Sequence, residues 1–172
     1  MISDAVTRSN DNPTDPRNRT VIHPVSDIYS GNLETPINSS GFTKALLNNF
    51  PAYRKGISFF RRGLEAGIAH GFWLVIPFAK LGPLRDTPTA NLAGLVSAIG
   101  LLIISTLTIF LYGASNPPAP TLTLTTPQPP EEFKTSAGWK KYGEGFLIGG
   151  VGSAVVGYFL IVNFSVIKEV IH

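Results

Sequence analysis

From Asn91 to Tyr112 the chain runs through NLAGLVSAIGLLIISTLTIFLY without a single charged side chain. Coiled as a helix at about 1.5 Å per residue, that run spans roughly 30 Å, the thickness of a bilayer's hydrocarbon core. A helix on the surface of a soluble domain keeps one polar face for water, and this run offers no charged face at all. The segment reads as a membrane span.

Two further apolar stretches flank it. The first, GLEAGIAHGFWLVIPFA from Gly63 to Ala79, contains Glu65, His70 and Pro77. Arg61 and Arg62 before it and Lys80 after it have side chains long enough to snorkel to the interface. The other stretch runs from about Tyr142 to Ile167, with Glu144 at its start. Its small residues fall into register as Gly145/Gly149, Gly149/Ser153 and Ser153/Gly157, a spacing that lets another helix approach closely. The short KLGPLRDTPTA loop makes the first two spans antiparallel neighbours. Six of the fourteen prolines lie between Pro117 and Pro130, which rules out a continuous helix there and favours an extended loop.

Ahead of the spans, residues 1–40 read as a polar, extended arm that is turn-rich from His23 onward and has no apolar core for a signal peptide. Residues 41–62 form a surface segment. In it Phe42, Leu46, Leu47 and Phe50 stand at helical spacing before Pro51, as in an amphipathic helix lying along a membrane. The expected fold is an all-α membrane protein. Three transmembrane helices cover about 63–80, 91–113 and 142–167, forming a membrane domain over 63–167, with the proline-rich loop over 114–138. Arg54, Lys55, Arg61, Arg62, Lys140 and Lys141 fall on one side, against Lys80, Arg85 and Lys168 on the other. That imbalance puts the N-terminus on the cytoplasmic face and the C-terminus across the membrane.

Composition narrows the function. Charged residues are 15% of the chain, below the usual quarter of soluble proteins, as suits a surface that faces lipid. The net charge of +3 is not gathered into a dense patch, so no nucleic-acid partner is expected. Without cysteine, the chain supplies no disulfide and no thiolate ligand. No P-loop, GxSxG or HExxH motif occurs, and the chain is not expected to be an enzyme. Three spans without an internal repeat also argue against a channel or transporter.

The ionisable residues inside the first span are the candidate site, because such groups are costly in a membrane and usually functional. Glu65 and His70, five positions apart, point about 140° from one another around a helix and stand roughly 7.5 Å apart along it. They suit two separate ligand positions better than one shared metal. Each offers an axial ligand to the metal of a flat, apolar macrocycle. Gly67 and Gly71 would leave room for such a ring, and Phe72 and Trp73 would add aromatic surface. Against this stand plainer roles, a hydrogen bond from His70 to a neighbouring helix and an ion pair of Glu65 with Arg61 or Arg62. Asp86, in the GPLRD turn, is a lone carboxylate able to join a hard-cation site or simply to pair with Arg85.

Taken together, NLETPINSS, FPAYRKG, RRGLEAGIAHGFWLVIPFAKLGPLRD, ANLAGL and GWKKYGEGFLIGG resemble the photosystem I reaction-centre subunit XI (PsaL) family of cyanobacterial type over about residues 30–165. That resemblance implies a non-catalytic thylakoid membrane subunit that binds antenna chlorophylls and beta-carotene, contacts lipids and the other photosystem I core subunits, and joins photosystem I monomers through copies of itself. It implies that His70 and Glu65 ligate chlorophyll magnesium. It also implies a calcium ion held through the carbonyl of Pro83 and the carboxylate of Asp86 near the oligomer axis. The implied oligomer is a trimer, although the loop over 116–130 resembles that of filamentous relatives with tetramers and dimers. Two rivals are a small proton-relay or transport protein using Glu65 and His70, and a pigment-free assembly factor.

Overall fold

A computed structural model describes residues 22–24, 33–38, 40–120, 122–123 and 125–164. Most of the expected N-terminal arm and the end of the expected third span, residues 165–167, lie outside these, as does Lys168. Its elements are β1 (His23–Pro24), β2 (Leu33–Glu34), α1 (Gly41–Asn49), α2 (Phe59–Leu81), α3 (Ala90–Ala114), a 3-10 turn (Glu131–Lys134) and α4 (Ser136–Val162). The chain divides into two compact units, Met1–Gly56 with Ala119–Glu131 and Ile57–Pro118 with Glu132–His172.

In the first unit β1 and β2 pair antiparallel, His23 opposite Glu34, a small ladder that an all-helical expectation omits. Helix α1 starts where the Ser40 hydroxyl accepts from Thr43 N and ends before Pro51, as the sequence predicts. Its apolar residues Phe42 and Leu46 and the capping Phe50 remain exposed, and Leu47 is half-buried. Part of the proline-rich loop is tied down here. The Asn48 amide donates to Thr125 O at 2.7 Å, and Thr125 Oγ1 donates to Asn38 O at 2.8 Å.

The second unit is a bundle of α2, α3 and α4, of 23, 25 and 27 residues, each long and apolar enough to cross a membrane. Two of them start earlier than the hydropathy alone suggests. Ser58 caps α2 by accepting from Arg61 N, and Thr135 caps α4 by accepting from Gly138 N, giving free amides a partner at each start. Lys140 and Lys141, expected to precede the third span, therefore lie within it.

Small residues spaced four apart dictate the packing. A Cβ on Gly63, Gly67 or Gly71 of α2 would land on backbone atoms of Tyr142, Phe146 or Gly150 in α4. In return, Gly145 and Gly149 of α4 sit against the backbone of Phe60 and Leu64. Ridges along i±4 rows thus mesh at backbone distance, the packing that small-xxx-small spacing favours where lipid supplies no hydrophobic drive between helices. The α2 stripe continues through Val75 to Ala79, where contact passes to Gly94 of α3. Val75, Ala98, Leu102, Phe146 and Ala154 form the buried core.

Inside the bundle, two buried hydroxyls are satisfied locally. Thr106 Oγ1 donates to Leu102 O at 2.7 Å and Ser153 Oγ to Gly150 O at 3.1 Å, so neither hydroxyl is left unbonded in an apolar setting.

Candidate functional site

His70 and Glu65 lie on α2, outside the glycine stripe that meets α4. The Nδ1 of His70 is 2.7 Å from Ala66 O, one turn earlier on the same helix. A carbonyl only accepts, so Nδ1 carries the proton and the lone pair of the neutral ring is left on Nε2. The bond goes to the ring's own helix rather than to a neighbouring one, so the plainer role expected for His70 is not realised among the described residues. The ring is exposed on the bundle and held edge-on by Phe146, with centroids 5.4 Å apart. A metal-binding imidazole is usually oriented by such a bond from its other nitrogen, which also raises the basicity of the free one. The arrangement thus leaves Nε2 as the nitrogen that could ligate a metal.

The surroundings correct one expectation. Gly67 and Gly71 do not make room for a planar ring beside His70. They are buried, and the space a side chain would need is filled by the backbone of α4. Their spacing belongs to helix packing. Phe72 and Trp73 stack edge to face at 5.7 Å, and Trp73 is 67% exposed, while the ring packed on His70 is Phe146.

Glu65 takes the plainer role at least in part. Its Oε1 accepts from Arg61 Nε at 2.9 Å, with the carboxylate side chain 26% exposed. Pairing with a guanidinium lowers the cost of holding a carboxylate near lipid, and a carboxylate has further lone pairs with which to ligate. Arg62 departs from expectation. Rather than snorkelling it is 5% exposed, with its guanidinium carbon 5.4 Å from the centre of the Phe59 ring.

In the turn between α2 and α3, Asp86 Oδ2 stands 3.4 Å from Arg85 Nε, with its side chain 85% exposed. Pro83 is exposed beside it. Among the described residues no three histidines or acidic residues gather as a metal site. Calcium takes about six to eight oxygens, so this turn by itself does not fit the ion.

An aromatic cluster went unread in the sequence. Tyr112 at the end of α3 meets Trp139 of α4 at 5.0 Å, and Trp139 also packs on Phe133 and Tyr142. The Trp139 indole donates to Phe133 O at 2.6 Å. The signal was present as Trp and Tyr flanking the spans, the usual belt at the headgroup level.

The model of the family described as photosystem I reaction centre subunit XI, PsaL, matches residues 20–166. Among curated proteins, the photosystem I reaction center subunit XI of Mastigocladus laminosus is 54% identical over 169 residues, covering 98% of each chain. That of Trichormus variabilis is 52% identical over 171 residues, covering 99% of each. The subunit XI of Synechococcus elongatus is 52% identical over 132 residues, 76% of this chain and 80% of its own. A matching family model over most of the chain, near-complete relatives from cyanobacteria and three helices able to span a bilayer all agree, and the chain belongs to the PsaL family of photosystem I reaction-centre subunits.

Proposed function

We propose that this chain holds antenna chlorophyll through His70 and Glu65 and links photosystem I monomers into a larger assembly. As a member of its family it is a non-catalytic subunit of photosystem I in the thylakoid membrane, with the other photosystem I subunits as partners. The observation that supports pigment binding best is the His70 ring. Its protonated Nδ1 is fixed on Ala66 O, which leaves Nε2 as the free nitrogen of an exposed ring. Bound there, a chlorophyll would supply light absorption and the transfer of excitation. His70 orients the ligand atom, Phe146 steadies the ring, and Trp73 offers apolar surface alongside. Beta-carotene and lipid then cover apolar faces of the bundle such as that of α3, where Ile104 and Leu111 are exposed.

Glu65 is the second ligand in this reading, shared with Arg61. Glu65→Leu is expected to lose one bound chlorophyll, while Glu65→Gln, which keeps an oxygen ligand, retains most of it. An exposed i,i+4 pair is worth only about 0.3–0.5 kcal/mol, so neither change should unfold the subunit. Pigment counts of the purified complex separate the roles, and an unchanged count in Glu65→Leu leaves Glu65 as an ion-pair partner of Arg61 alone.

For assembly, the chain contacts copies of itself in neighbouring monomers, with a trimer as the leading arrangement and a tetramer or dimer as alternatives. Calcium enters only as an ion shared with another chain, Asp86 and the Pro83 carbonyl giving a minority of its oxygens. The basic residues before α2 favour an N-terminus on the cytoplasmic side. Deleting the gene is the direct test. Solubilised membranes on a native gel should lose their largest chlorophyll-bearing band and gain the monomer, and the mass of the lost band identifies the oligomer. An unchanged green oligomer in the deletion strain would refute the linking role.

A further inference from the structure

Between α3 and α4 lies a cavity of about 270 Å³ lined by Phe110, Ser136 and Lys140. Ser136 and Lys140 are one turn apart at the start of α4, and both are exposed. Lys140 has no ion-pair partner among the described residues. Helix α3 brings no charge to the cavity. The nearest acidic residue along α4 is Glu144, one turn further into the helix and exposed on its own account. The cavity therefore joins an unneutralised cation and a hydroxyl donor to an aromatic wall.

Its depth is fixed by neighbouring rings. Trp139, adjacent to Lys140 in sequence, packs on Tyr112 and Tyr142 at 5.0 and 5.9 Å. Such rings settle where the headgroups begin. A cation at that depth, with an apolar surface leading inward from it, matches a lipid whose phosphate is anionic and whose chains run along a helix groove.

We infer that this cavity binds an anionic phospholipid of the surrounding bilayer, its phosphate on Lys140 and Ser136 and its chain against Phe110. Nothing in this depends on pigment at His70 or on the oligomer. Lys140 anchors the headgroup by charge, and Ser136 adds a donor from the same face. Gly143 contributes by absence, since a Cβ there would meet the Phe110 ring 2.9 Å from its Cδ1 and push it across the groove.

The test uses intact photosystem I complexes carrying wild type, Lys140→Glu, Lys140→Ala or Lys140→Arg, placed in phosphatidylcholine nanodiscs doped with phosphatidylglycerol. Retained phosphatidylglycerol is counted by mass spectrometry after a detergent wash. The expected result is about fivefold weaker retention in Lys140→Ala, complete loss of one lipid in Lys140→Glu and near-normal retention in Lys140→Arg. Inorganic phosphate at millimolar concentration should not displace the lipid. Equal lipid counts in all four complexes would overturn the inference, as would displacement by phosphate alone, which would make the site one for a free anion. Because Lys140 is exposed, the subunit should accumulate normally in every variant, which an immunoblot checks.

Discussion

Changing both Gly67 and Gly71 to leucine is expected to remove the subunit from photosystem I altogether. A side chain at Gly67 would fall on the Phe146 carbonyl, and its Cβ would lie 2.8 Å from Gly150 N. At Gly71 it would meet the Gly150 carbonyl and the Ser153 hydroxyl. Overpacking a core costs about 1–3 kcal/mol when side chains can shift to relieve it. Here the obstruction is helix backbone, which no rotamer change moves, so α2 and α4 must separate along most of their contact. Two such sites should exceed what a small bundle can absorb. Gly152→Leu is the matched control, since a Cβ there meets nothing within 4 Å inside the chain. Immunoblots of purified photosystem I should find the control present and the double variant missing. Normal incorporation of the double variant would refute the backbone-contact account of the bundle.

His70→Leu should have a narrower and equally clear effect. The subunit remains, because His70 is exposed and its hydrogen bond stays within its own helix. What should be lost is the proposed ligand, and with it one chlorophyll per copy of the chain. Leucine matches the volume well enough to keep contact with Phe146, so the change isolates coordination from packing. Pigment extraction from purified complexes, normalised to the reaction-centre pair, gives the count. The same count in variant and wild type would remove His70 from the pigment site and revive the two rivals. A proton-relay role would then show as lost transport with pigment unchanged, and a pigment-free assembly role as altered oligomers only.

Much of this was legible from residue order, and the exceptions have physical causes. The three spans could be read because length and charge-free composition are local properties. Their starts could not. The Ser58 and Thr135 caps lie in polar flanks, and Lys140 sits within α4 because a long aliphatic stem lets its charge reach the interface from inside a helix. The small-residue series from Gly145 to Gly157 was correctly expected to meet a helix, and α2 is that helix. Its counterpart, Gly63–Gly67–Gly71, does not stand out as packing in the sequence, where Gly67 and Gly71 read equally well as space beside His70. Sequence spacing gives the angle between residues on one helix, never which angle faces a neighbour. For the same reason Arg62 reads in the sequence as reaching outward, although its register carries it inward over Phe59. His70 stands out in the sequence as a candidate through the cost of an ionisable group in a span. Its tautomer depends on a carbonyl contact that only coordinates reveal.

The glycines that join α2 to α4 have a consequence for how freely the rest of the surface can vary. Their partners at Tyr142, Phe146 and Gly150 include main-chain atoms, which any amino acid at those positions would carry. The seam therefore makes few demands on the identity of outward-pointing side chains along either helix. Those positions can be rewritten to suit a different cofactor, lipid or neighbouring subunit while the two helices keep their alignment. A scaffold closed by main chain leaves its perimeter open to adaptation.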